Sequence, residues 1–157
     1  MTLLRPLLLA ASLCSLLPLA QAEEVGKVST TFRLLSPNDK VVVEAFDDPS
    51  VAGVACYVSR AQTGGYSGAV GLAKDPSRFS VACRQIGNIS FAKPLPKQEE
   101  VFKESASFIF KHVRVVRIVD AKRNTLVYLT YSDKLVDGSP DNAVTAVPVS
   151  GQNIPQK

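Results

Sequence analysis

Short runs in which apolar and polar residues alternate recur along most of this chain, and turn-forming residues separate them. Successive side chains of a β-strand point to opposite faces, so a period of two predicts strands with one buried face. Val, Phe, Tyr and Thr dominate the runs, as suits a pleated, half-buried surface. The pattern predicts strands over Val25–Leu34, Lys40–Phe46, Val54–Arg60 and Phe79–Ile86. Further strands are predicted over Glu99–Glu104, Ser107–Val119, Thr125–Tyr131 and Ala143–Val149. The stretches SPNDK (Ser36–Lys40) and DAKRNT (Asp120–Thr125) read as hairpin loops between neighbours. Pro148 cannot donate to a ladder, which places the last strand at an edge or ends it there. The residues after Gly151 are polar and expected to be loose.

The longest run, SFIFKHVRVVRIVDA, shows its faces most clearly. Ile109, Val113 and Val115 share one face, and Phe108, Phe110, His112 and Arg114 the other. At Val115-Val116 two apolar residues stand side by side. The reading that keeps apolar residues inward is a change of phase there, with Val116 and Ile118 inward, Arg117 outward and a bulge between. One short helix is predicted, over Tyr66–Ala73, stopped by Asp75-Pro76. The prolines of AKPLPK (Ala92–Lys97) interrupt the chain over too short a distance for a domain linker. The whole reads as a single, mainly β domain, an antiparallel sandwich or a partly open barrel, which alternation alone does not separate.

The N-terminal segment departs from this pattern. Arg5 precedes an apolar run from Leu7 to Ala20, and Ala20-Gln21-Ala22 supplies the small-x-small pattern of a cleavage site. Residues 1–22 therefore read as a signal peptide, with residues 23–157 as the mature domain. The run is shorter than the roughly 20 apolar residues of a membrane span, so no span is expected after its removal. Of 18 Lys and Arg residues only Arg5 falls in the leader, which leaves 17 against 14 acidic residues and a net charge of +3. Export and this mild charge both argue against a nucleic-acid binder, which would carry a dense basic stripe.

Export changes the meaning of the cysteines. Cys14 lies within the leader, so the mature chain keeps Cys56 and Cys83, each in a strand-like context. An isolated pair in an exported protein is expected to form a disulfide. The pair lacks the close C-x-x-C spacing of redox exchange, and a metal centre would need more Cys or His ligands than the chain offers. Neither a metal nor a cofactor is implied.

Candidate chemistry is sparse. His112 is the chain's one histidine, and a hydrolase would pair it with a nucleophile and an orienting acid. Ser132, Ser139 and Asp133 are at hand by composition, but no G-x-S-x-G elbow is present, so a solvated histidine is the plainer reading. Glu44, Asp47 and Asp48 in EAFDDP, and the stretch DGSPDN (Asp137–Asn142), read as turns before metal sites. Arg60 with Thr63, Gly64 and Gly65 could form a backbone nest for an anion. Lys111, Arg114, Arg117, Lys122 and Arg123 gather around one predicted hairpin as a possible anion or partner patch.

The stretches VVVEAFDDP, CYVSRAQTGG and VVRIVDAKRNTLVYLTYSDKLVDGSPDNAVTAVPV together resemble the CreA family of exported bacterial proteins. The resemblance spans nearly all of the mature chain, both cysteines included. It implies a periplasmic protein of a Gram-negative bacterium. It brings no activity, cofactor or catalytic residue; the family's name reflects association with a carbon-source-responsive two-component system. The expectation is a non-catalytic periplasmic module that binds a small molecule or a protein, with a His112 hydrolase or a structural envelope accessory as alternatives.

Overall fold

The computed structural model describes residues 22–66, 79–107, 111–133 and 141–157. Eight strands run in chain order: β1 (Glu23–Ser29), β2 (Lys40–Asp47), β3 (Val51–Gln62), β4 (Phe79–Phe91), β5 (Gln98–Ser107), β6 (Lys111–Asp120), β7 (Thr125–Ser132) and β8 (Asn142–Pro148). They form two four-stranded antiparallel sheets, ordered β1-β2-β3-β4 and β5-β6-β7-β8. No strand is shared between the sheets, so the fold is an open sandwich and not a closed barrel.

Alternation delivers the core. Val42 and Phe46 of β2, Val54, Cys56 and Val58 of β3, Val115 and Val119 of β6, and Leu126 and Tyr128 of β7 are all buried. Phe46 of one sheet stacks on Phe102 of the other, with ring centroids 4.3 Å apart. Cys56 and Cys83 stand directly opposite each other on β3 and β4 and form the expected disulfide, wholly buried. The Cys83 N–H also donates to Thr145 Oγ1 of β8 at 3.3 Å, tying the sheets together beside the bridge.

Both predicted hairpins form. Between β6 and β7 the chain makes a 3₁₀ turn, Ala121–Arg123, capped by the Asp120 carboxylate, which accepts from the Arg123 N–H. Asn124 follows in the left-handed conformation (φ 49°), which its short amide side chain tolerates.

Several expectations are corrected. β1 ends at Ser29, and residues 30–39 form a loop to β2. Ser107 closes β5 and does not open β6; it pairs with Lys111, the first residue of β6. β4 runs past Ile86 to Phe91, interrupted by a wide bulge: Ala52 pairs with Ser90 and Val54 with Gln85, so Gly53 alone faces Ile86–Ile89. Gly53 sits at φ +81°, and a Cβ there would lie 2.4 Å from the Asn88 carbonyl oxygen, so the bulge requires glycine. The helix expected over Tyr66–Ala73 lies, past its first residue, outside the described residues.

The C-terminal tail is anchored, not loose. Ile154 is buried, and the backbones of Pro155 and Lys157 hydrogen-bond to Leu95. The Asn124 amide donates to the carbonyls of Val149 and Gln152 and accepts from the Ile154 N–H. The Gln152 side chain in turn donates to the Ile89 carbonyl of β4. A polar tail is ordered here because its backbone groups find partners on both sheets.

Candidate functional site

The inner face of β6 continues without a change of phase. β6 pairs with β7 in unbroken register from Val113 to Asp120, and Arg117 lies on the face of Val113, Val115 and Val119. The bulge falls in the partner strand β5, between Glu100 and Phe102. Arg117 therefore points into the sandwich, and its guanidinium is fully buried.

A buried guanidinium is tolerable only when neutralised and hydrogen-bonded. Arg117 Nη1 donates to both oxygens of Asp48, at 2.6 and 2.7 Å. Arg117 Nη2 donates to Glu99, its direct cross-strand neighbour on β5. Tyr128, its direct neighbour on β7, donates its hydroxyl to Asp48 Oδ2 at 2.9 Å. Asp48 reaches this position from the tight turn between β2 and β3, where the Ser50 N–H donates to Asp48 Oδ1 at 2.9 Å. Burial raises the ionisation of the Tyr128 phenol well above the ordinary range, and the neighbouring Asp48 charge adds to the effect. Asp48 is fully engaged, accepting from Arg117, Tyr128 and Ser50, while Glu99, its side chain 31% exposed, is the member of the cluster that reaches solvent and Arg117 Nε finds no partner among the described residues.

Above this cluster an open cleft of about 440 Å³ lies at one end of the sandwich. The Asp47–Ser50 turn forms its floor, and the start of β3 and the β4 bulge form its walls, with Ile86, Ser90 and Phe91 contributed by β4. Ile86 is exposed within it, and Asp47 at the rim forms no ion pair among the described residues. The buried Asp48–Arg117 pair fixes the turn that forms the floor.

The residues expected to make a basic patch do not come together as one surface. Arg117 is buried inside. Arg114 lies on the outer face, held by Asp133 at 2.8 Å and Glu100 at 2.9 Å. Its guanidinium is held even more firmly in the charged form, chiefly by the Asp133 hydrogen bond. Arg123, at the hairpin end, pairs with Asp120, whose carboxyl it pulls below the usual range. Lys122 is exposed beside it. Lys111 opens β6 at the far end of the strand.

The nest region is filled by the chain itself. The Gly64 N–H donates to Asp39 Oδ1 at 2.7 Å, and the Gly65 N–H to the Pro37 carbonyl at 2.8 Å. Asp39 is also gripped by Arg33 through both carboxylate oxygens. The Gly64 N–H, followed by Arg33, holds the Asp39 carboxyl below the usual range. Arg60 pairs with Glu44 at 2.8 Å, and Thr63 lies between the end of β3 and Gly64.

His112 is half-exposed, with Nδ1 3.6 Å from Asp133 Oδ2. Ser132 on β7 turns its hydroxyl into the interior, where it finds no hydrogen-bond partner among the described residues. Ser139 lies outside the described residues. No group of three or more potential metal ligands occurs among the described residues. Sequence reasoning placed Asp48 in a turn but missed its burial against Arg117, and it missed the roles of Glu99 and Tyr128 and the β4 bulge. The one available signal was that Arg117 keeps step with Val113, Val115 and Val119.

Residues 25–152 match the family model described as CreA protein. Protein CreA of Escherichia coli strain K12 is 53% identical over 147 residues, which cover 91% of this chain and 94% of that protein. Those of Escherichia coli O6:H1 strain CFT073 and O157:H7 show the same identity and coverage. No solved structure matches the chain.

Proposed function

The chain belongs to the CreA family, and we propose that it is a non-catalytic binding module of the periplasm whose ligand enters the cleft at the β4 bulge. The carrying observation is the cleft itself, about 440 Å³, placed over a turn that a buried ion pair holds rigid. Binding sites are typically concave, largely apolar and furnished with a few fixed polar groups. Ile86, Phe91 and Val51 supply apolar wall, and Asp47, Ser50 and Ser90 supply polar groups. A rim carboxylate that forms no ion pair among the described residues, set over an apolar wall, suits a small ligand with an amine and an apolar body. The buried disulfide and the leader-like N-terminus support an oxidising, exported setting. The hydrolase alternative lacks support, because Asp133, the carboxylate beside His112, is already held by Arg114.

The test is a thermal-shift screen of the oxidised protein against amines, amino acids, short peptides, sugars, organic acids and phosphates. A ligand at a hundredfold excess over its Kd stabilises the fold by about 2.7 kcal/mol. A shift that Ser90→Trp abolishes, with the unliganded fold intact, supports the cleft. Silence across the panel, or a shift indifferent to Ser90→Trp, overturns it.

A further inference from the structure

The loop between β1 and β2 carries the most exposed large apolar side chains among the described residues: Phe32 is 83% exposed, and Leu34 and Leu35 are each 82% exposed. Such a tip is expected to fold over and hide, yet here polar bonds hold it outward. The Thr30 N–H donates to the Asp39 carbonyl at 2.8 Å, the Arg33 N–H to Asn38 Oδ1 at 2.7 Å, and the Asp39 N–H to Thr31 Oγ1 at 2.9 Å. The Tyr66 hydroxyl donates to the Leu35 carbonyl at 3.0 Å. Gly64 lies so close beneath that a Cβ would come within 2.2 Å of the Pro37 carbonyl oxygen.

We propose that this tip is a membrane-docking element: Phe32, Leu34 and Leu35 insert into the interfacial region of a lipid bilayer. Three arguments favour lipid over another protein. Three side chains of this size offer on the order of 500 Å², short of the roughly 800 Å² per partner of a stable protein interface. The tip protrudes from a hairpin end, a shape that suits a deformable apolar phase better than a second copy's flat face. Arg33 and Tyr66 stand at the base, residue types that keep a polar end at the interface. Because Asp39 neutralises Arg33, the attraction is apolar and not ionic. β2 runs from this loop to the cleft, so docking leaves the cleft about 23 Å away at the other end of the sheet. The inference is independent of the ligand reading.

The experiment is sedimentation with vesicles of phosphatidylethanolamine and phosphatidylcholine, with and without phosphatidylglycerol. It uses protein recovered from a periplasmic extract, with its N-terminus determined by mass spectrometry. The expected result is binding to both vesicle types that persists in about 0.5 M salt, where ionic adsorption is screened. The triple variant Phe32→Ser, Leu34→Ser, Leu35→Ser should bind about tenfold more weakly or worse, with its melting temperature retained. Gly64→Ala keeps all three apolar residues but displaces the loop, and should also weaken binding. Failure of the wild-type chain to sediment, equal binding by the triple variant, or loss of binding in salt overturns the proposal. So does self-association in solution that the triple variant abolishes, which would assign the tip to a second copy.

Discussion

Arg114 and Arg117 stand three residues apart on β6, each holding a glutamate from β5 and an aspartate from elsewhere in the chain. The hydrogen bonds are of similar kind. The surroundings are not: Arg117 and Asp48 are wholly buried, whereas the Arg114 side chain keeps 29% of its exposure. At the surface, water and salt compete for each charge, and losing a partner returns the other to solvent. In the interior a widowed charge has nowhere to go. Identical residues on one strand thus differ in what they secure. The inner pair fixes the cleft floor and joins β2 to the opposite sheet, while the outer pair decorates an exposed face.

The largest expected effect breaks this contrast from the inner side. Arg117→Ala leaves Asp48 buried and uncompensated, and should lower unfolding stability by about 3–5 kcal/mol in a denaturant titration. Replacing the pair together, with Asp48→Leu and Arg117→Met, should recover much of that loss, because no charge is then stranded. A double variant as unstable as the single one would mean that the pair is needed for its geometry and not for neutralisation.

A smaller effect comes from the third member. Tyr128→Phe removes one hydrogen bond to a charged acceptor and should cost about 1–3 kcal/mol at neutral pH. The pH dependence sharpens the point. The fold favours the neutral phenol, raising its ionisation above the unfolded value near 10. That contribution is complete below about pH 10 and declines above it, as the unfolded chain alone loses the proton. Stability should therefore fall more steeply above about pH 10 in the wild-type protein than in Tyr128→Phe. Parallel curves would show that the phenol is not shielded.

The smallest effect belongs to Arg114→Ala. Its denaturation midpoint should barely move, and any difference should disappear in about 0.5 M salt. A loss comparable to that of Arg117→Ala would dissolve the distinction between the faces.

Much of the fold was legible because local rules and global structure agree. All eight strands overlap their predicted ranges, although β1 stops early at Ser29, β4 runs on to Phe91 and β6 opens at Lys111 and not at Ser107. DAKRNT formed its hairpin on the Asp120 cap and left-handed Asn124, and the isolated cysteine pair closed as expected. The site was far less legible, for one physical reason. Arg117 was read outward because arginine is so seldom buried, although alternation placed it inward all along. Its burial depends on Asp48, 69 residues away in sequence, and on Tyr128, and such pairings across a sandwich leave no mark on local spacing. The β4 bulge hid in the same way: Gly87-Asn88 reads as a strand end until Gly53 is seen across from it. The order of the tail likewise depends on Asn124, Leu95 and Ile89, which only the folded chain brings near it.

That tail has a consequence for what counts as the folded unit. Gln152 reaches across to Ile89, Ile154 enters the core, and Pro155 and Lys157 bond to Leu95. Residues 152–157 are thus among those that knit the two sheets together. Loss of these contacts would open the core at Ile154 and strip the Leu95 backbone of its partners, so the tail belongs to the folded unit and is not an appendage to it.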